Sequence, residues 1–183
     1  MENTARIRER LFRLIKEKAY HAGPIKLASG KISDYYIDAR AVTLSSEGAY
    51  CVGHLLFDLV EGEAVQAVGG PTLGADPLVG ALAAVSFERQ KPINTFLIRK
   101  TPKTHGRMLQ VEGPVLEAGG AVVLVDDVAT TGGSLVDAIV LLEKMQIQVK
   151  RAVVLVDREE GAAKNLAAKG CAFTALFKAS EFK

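Results

Sequence analysis

Two adjacent carboxylates, Asp126 and Asp127, stand between an apolar run and a cluster of small hydroxyl and glycine residues, in the order AVVLVDDVATTGGSL over 121–135. A carboxylate pair repels anions and accepts hydrogen bonds, so it suits a donor such as the vicinal hydroxyls of a ribose. The residues after it suit the opposite charge. A glycine-rich turn feeding a helix leaves several backbone N–H groups unpaired beside the positive end of the helix dipole, which carries roughly +0.5 charge. That is a seat for phosphate. Thr130, Thr131 and Ser134 add hydroxyl donors, and Gly132 and Gly133 keep Cβ atoms out of the way. One end for a phosphate and one for a diol together describe a ribose 5-phosphate. The run lacks the Lys-Ser/Thr ending of a triphosphate-binding loop and the glycine spacing of a dinucleotide site.

These residues need a rigid frame. Val122 to Val125 are short, β-branched and apolar, as expected for a strand buried on both faces of a parallel sheet. The aspartates then sit at its carboxyl end, where ligands bind in open α/β sheets. Leu135, Val136, Ile139, Val140 and Leu142 recur at helical spacing, with Ser134 as the expected N-cap. Upstream, Thr4 to Tyr20 reads as an amphipathic helix ended by His21-Ala22-Gly23-Pro24. Ile25 to Ser29 and Ile32 to Ala39 read as a hairpin about Ser29-Gly30-Lys31, so that 1–45 forms a small hood.

From residue 46 strands and helices alternate. A helix over Ser46 to Val60 leads to a strand at Val65 to Val68 and a Gly- and Pro-rich loop over 69–77, where Gly69, Gly70 and Gly74 would let amides approach a diphosphate. A helix over Leu78 to Phe87 and a strand over Ile93 to Ile98 follow. The next loop, 99–113, carries Arg99, Lys100, Lys103, His105 and Arg107, with no apolar periodicity. The strand Arg151 to Val156 ends in Asp157-Arg158, and a helix over Gly161 to Lys169 and a strand over Cys171 to Phe177 complete the chain. The expected architecture is a parallel, doubly wound α/β sheet with a small N-terminal hood, in one domain spanning 1–183. Loops 69–77, 99–113, 126–134 and 157–160 would meet at one edge.

Composition narrows the class. The 183 residues, 49% apolar with no Trp, suit one α/β domain. A formal charge of +2 provides no general field for nucleic acid or membrane, so any anion site must be local. Cys51 and Cys171 fall in apolar patterns and read as buried thiols, neither a disulfide nor a metal framework. The charged amino terminus does not read as a signal peptide, and the expected compartment is the cytoplasm.

The segment LVDDVATTGGS resembles the signature of type I phosphoribosyltransferases, which bind 5-phosphoribosyl 1-diphosphate (PRPP). Three further motifs are similar to those of the orotate phosphoribosyltransferases: Ser29-Gly30-Lys31-Ile32-Ser33-Asp34-Tyr35-Tyr36-Ile37-Asp38, the loop Arg99-Lys100 with Lys103 and His105, and Asp157-Arg158 after a strand. The resemblance implies transfer of the phosphoribosyl group from PRPP to orotate, giving orotidine 5′-monophosphate and diphosphate in pyrimidine synthesis. It implies that Asp126 and Asp127 hold the ribose and that Val128, Ala129, Thr130, Thr131, Gly132, Gly133 and Ser134 surround the phosphate. Lys103 and His105 act on the diphosphate with Arg99 and Lys100, while Lys26, Tyr35, Tyr36 and Arg158 serve the base. It further implies magnesium, carried with the diphosphate, and a homodimer in which Lys103 and His105 reach the neighbouring subunit's PRPP.

Physical reasoning agrees on Arg158. Orotate carries a carboxylate, for which a guanidinium is a planar two-donor fork; the alternative is an ion pair with Glu159 or Glu160. Three positions depart from the family pattern. Ala28 stands where many members have a lysine, with Lys26 nearby to replace it; Leu73 stands where some have a lysine; and the acidic pair is Asp126-Asp127 where many have Glu-Asp. Two other readings use the same motif: a purine phosphoribosyltransferase, which needs no carboxylate partner, and a PRPP-sensing regulator of nucleic acid, for which a charge of +2 offers no footprint.

Overall fold

In the computed structural model the described residues are 3–26, 32–101 and 110–183. Helix α1 (Thr4–Lys18) is capped by Asn3, whose side chain accepts from the Ala5 amide, and it buries Ile7, Leu11, Leu14 and Ile15. The first hairpin strand, β1, is Tyr20–Lys26, which lies earlier than Ile25 to Ser29. The stretch read as a helix stop is itself extended. Gly23 takes φ 125 and the register slips between Ala22 and Ile25, a bulge that accommodates Pro24 beside β2 (Ile32–Ile37). This two-stranded sheet is separate from the main one.

A short helix, α2 (Arg40–Thr43), leads into α3 (Ser46–Val60). Strand β3 is Ala67–Pro71 and so takes in the glycines assigned to a loop. A Cβ on Gly69 would overlap Phe96, and one on Gly70 would overlap the Val125 carbonyl oxygen. Both glycines therefore serve close strand packing, and the loop before α4 (Ala75–Glu88) shrinks to Thr72–Gly74. Next come β4 (Thr95–Ile98), the two-residue β5 (Val111–Glu112), β6 (Ala121–Ala129), α5 (Gly133–Lys144), β7 (Gln148–Asp157), α6 (Ala162–Ala167) and β8 (Ala172–Lys178), closed by a 3-10 turn over Ala179–Phe182.

The main sheet runs β5-β4-β3-β6-β7-β8. It is mostly parallel; β5, inside the segment expected to be all loop, pairs antiparallel with β4. Alternate residues of β6 feed two cores. Val123 and Val125 pack with α1, α3 and α4, whereas Val122 and Leu124 pack with Leu135, Ile139 and Leu142 of α5 and Leu166 of α6. The first core also includes Tyr35 and Ile37, so the hood joins it through side chains. Phe12 stacks on Phe182 at 4.9 Å, and Tyr20 stacks on Tyr35 at 5.7 Å. After β3 the chain moves outward to β4, and after β6 it moves the other way to β7. The switch point, and with it the natural crevice, lies between the carboxyl ends of β3 and β6.

Candidate active site

Strand β6 continues past Leu124, its last residue paired with β3 (to Gly69), through Asp126 and Asp127 to Ala129. Along that edge its side chains face the Thr72–Gly74 turn rather than another strand. Gly74 is required here: a Cβ would overlap the carboxylate oxygens of both aspartates. Asp126 Oδ1 accepts from the Asp127 amide at 3.0 Å, and Asp127 Oδ1 accepts from the Val128 amide at 2.7 Å. Asp126 is 9% exposed. Burial first, and the neighbouring charge of Asp127 second, raise its pKa above the usual carboxylate range, while Lys100 pulls it down. Burial likewise raises Asp127, opposed by the Val128 amide and by the charge of Arg40. Two crowded, desolvated acids favour a donor of hydrogen bonds or a cation.

Beyond β6 the chain turns through Gly132, in the left-handed region at φ 74, and α5 begins at Gly133. Ser134 therefore lies inside the first turn and is not the N-cap. Gly132 occupies that place and has no side chain to cap with, so the first amides of α5 remain available to a ligand. Asp126, Val128, Ala129, Thr130, Thr131, Gly132, Gly133, Ser134 and Leu135 surround a hollow of about 190 Å³. The Thr131 carbonyl is held by Asn165 Nδ2 at 2.9 Å.

The hollow adjoins a larger cavity of about 1050 Å³. Its lining brings together most of the expected side chains: Tyr36, Arg99, Lys100, Asp126, Asp127, Val128, Thr130, Thr131, Ser134 and Arg158. Tyr35 is buried behind Arg158, whose guanidinium carbon lies 4.7 Å from the tyrosine ring centre. Arg99 is 3.6 Å from Glu112. Lys26 is the last residue of β1, and Lys103 and His105 lie outside the described residues.

Arg158 is 8% exposed, hydrogen-bonded from Nε to Glu160 Oε1 at 2.8 Å and from Nη2 to Ser33 Oγ at 3.1 Å. The two readings of this arginine are thus compatible, since it pairs with Glu160 and also lines the cavity. Thr72, Asp76 and Glu160, from the 69–77 and 157–160 segments expected at this edge, line the cavity as well, and so does Arg40, which lies outside them. Arg40 follows β2 by three residues and opens α2. Asp76 Oδ1 is buried with no hydrogen-bond partner. Among the described residues no cluster of three or more His, Cys, Asp or Glu side chains is arranged to hold a metal, and no helix is long and apolar enough to cross a membrane. Cys51 and Cys171 are both buried, as their apolar patterns suggest.

Comparison with known proteins agrees with this geometry. Residues 50–173 match the family model "Phosphoribosyl transferase domain". The chain is 40% identical to the orotate phosphoribosyltransferase of Bradyrhizobium sp. (strain BTAi1), covering 96% of each, and 41% identical to that of Aquifex aeolicus, covering 95% of this chain and 96% of the relative. Among solved structures, the Mycobacterium tuberculosis orotate phosphoribosyltransferase in complex with PRPP superposes with a TM-score of 0.79 at 28% identity, covering 96% of this chain and 98% of the other. The chain therefore belongs to the phosphoribosyltransferase family and, within it, to the orotate phosphoribosyltransferases.

Proposed function

We propose that the chain transfers the 5-phosphoribosyl group from PRPP to orotate, forming orotidine 5′-monophosphate and diphosphate in pyrimidine biosynthesis. The observation that carries this reading is one continuous cleft holding a phosphate-sized hollow, a pair of acids, one buried and one half-buried, and a buried arginine in that order. The 5-phosphate takes the α5 amides with the hydroxyls of Thr130, Thr131 and Ser134. Asp126 and Asp127 accept from the ribose hydroxyls. As the bond from ribose C1 to the diphosphate oxygen breaks, positive charge grows on the sugar beside these acids and negative charge on the leaving group, which Lys100 in the cavity lining can meet. Lys103 and His105 are assigned to the same leaving group by family resemblance. The ring nitrogen of orotate then bonds to C1 as its N–H proton passes to the departing diphosphate, with Tyr36 and Lys26 at the base and Arg158 gripping its carboxylate. A purine has no carboxylate for that arginine, which favours orotate.

Magnesium fits the donor set. A partly hydrated ion carried by the diphosphate needs only one or two protein carboxylates, and Asp126, Asp127 and Asp76 are within the cleft. When bound, it would neutralise charge on the leaving diphosphate. The protein is assigned to a homodimer that shares the 99–113 loop between subunits. Exposed Leu44, Tyr50 and Leu73 offer apolar surface for such contact. Buried thiols suit a reducing compartment, and the reaction is placed in the cytoplasm.

The decisive test is to incubate the protein with orotate, PRPP and magnesium and follow the loss of orotate absorbance; no loss rejects the reaction. For the shared loop, a mixed dimer of Lys103→Ala with Asp127→Asn chains should recover activity at one hybrid site. No recovery rejects sharing.

A further inference from the structure

Arg158 has five N–H donors, and the contacts that hold it are not evenly spread. Glu160 Oε1 takes Nε at 2.8 Å, Ser33 Oγ takes one hydrogen of Nη2 at 3.1 Å, and the Tyr35 ring lies against the guanidinium face at 4.7 Å. Ser33 is itself fixed, because its hydroxyl donates to the Tyr35 carbonyl at 2.7 Å. The side edge and one face of the fork are thus occupied by protein. Neither hydrogen bond uses Nη1, and one Nη2 hydrogen is left over, so the donors that remain lie along the end of the fork. Two parallel N–H groups on that edge match the two oxygens of a carboxylate. A guanidinium without such contacts could swing about its last torsions and present either edge.

We propose that Glu160 is a positioning residue for base recognition: it holds Arg158 by Nε so that the Nη1/Nη2 edge faces the substrate carboxylate, with Ser33 and Tyr35 as the hood's part of the same clamp. The inference rests on the orotate reading above and adds to it a residue that does not touch the substrate. Glu160 is the more exposed partner, its side chain 41% accessible against 7% for Arg158, and it lines the same cavity. A carboxylate in that position can act in two opposite senses. As a clamp it favours the anionic base by orienting the guanidinium. As a rival anion it would disfavour the base by occupying or neutralising the same cation. The geometry points to the clamp, because Glu160 bonds to Nε, which an end-on fork does not use.

The sign of one substitution separates the two senses. Steady-state kinetics on the full-length protein would compare Glu160→Ala and Glu160→Gln, varying orotate and PRPP in turn. The clamp predicts that Glu160→Ala raises the KM for orotate by roughly tenfold, the scale of one misdirected charge-assisted hydrogen bond, with the KM for PRPP and kcat little changed. Glu160→Gln retains an acceptor oxygen for Nε–H and should recover most of that loss. A fall in the orotate KM in Glu160→Ala overturns the proposal in favour of a rival anion. Parallel changes in both KM values and in kcat, unrelieved by Gln, overturn it in favour of a general structural role. If the unmodified protein fails to consume orotate at all, the proposed function itself is rejected, a result distinct from either of these.

Discussion

The two halves of the cleft are built in opposite ways. The half proposed for the sugar phosphate is made from one unbroken stretch, 126–134, in which a strand end, a left-handed glycine and a helix start follow one another and backbone amides would supply much of the binding. The half proposed for the base is assembled from Ser33, Tyr35 and Tyr36 of the hood and from Arg158 and Glu160 beyond β7, residues that meet through side chains, Ser33 and Arg158 from 125 positions apart. A contiguous half depends on backbone geometry and tolerates little change of shape. An assembled half depends on side-chain orientation and should fail by degrees.

That contrast can be broken experimentally, and the largest effect belongs to the acids. Asp126→Asn should lower kcat/KM for both substrates by about 10²–10³-fold, as expected when a preorganised charge aimed at the transition state is lost. The same change should stabilise the protein. Burial raises the Asp126 pKa above its unfolded value, so the wild type loses stability as pH rises from the ordinary carboxylate range to the raised one. The Tm advantage of Asp126→Asn should therefore be small near pH 4 and grow towards pH 8; a constant or reversed difference in thermal melts contradicts the electrostatic account.

Arg158→Ala should raise the KM for orotate by roughly 10²-fold, since up to two charge-assisted bonds of about 1.5–3 kcal/mol each disappear, while the KM for PRPP stays within a few fold. Equal losses for both substrates would show that the halves are not separable. The smaller steric effect tests the contiguous half. Gly74→Ala places a methyl group against both aspartate carboxylates and should cut kcat/KM for PRPP by tens of fold, in line with the cost of displacing catalytic groups by about 1 Å. Unchanged PRPP kinetics would mean that the carboxylates move aside freely.

The same contrast explains which parts of the molecule are legible in the amino-acid sequence. The 126–134 stretch can be read because its chemistry and its positioning elements are neighbours in the chain. The order of strands and helices after residue 46 follows from apolar periodicity for the same reason. Gly69 and Gly70 mislead, because a glycine that lets two strands approach looks in sequence like one that lets a ligand approach. Ser134 reads as a cap because its hydroxyl suits the role, but Gly132 can enter the left-handed region and starts the helix earlier. Two-residue β5 is too short to leave a pattern. In the base half, Arg158 is found from its strand end, yet Ser33 and Glu160 gain their roles only by three-dimensional proximity, and Arg40 enters the cleft from a helix start that local sequence does not assign to it.

The hood hairpin shares no backbone ladder with the six-stranded sheet and is attached through side chains: buried Tyr35 and Ile37, the stack of Tyr20 on Phe182, and the hydrogen bond from Arg158 to Ser33. A lineage could therefore remodel this small module, altering which acceptor is welcomed, without disturbing the pentose-activating apparatus beneath it. On this scaffold, innovation in the nucleobase partner is separated from the bond-breaking chemistry at the level of the backbone ladder.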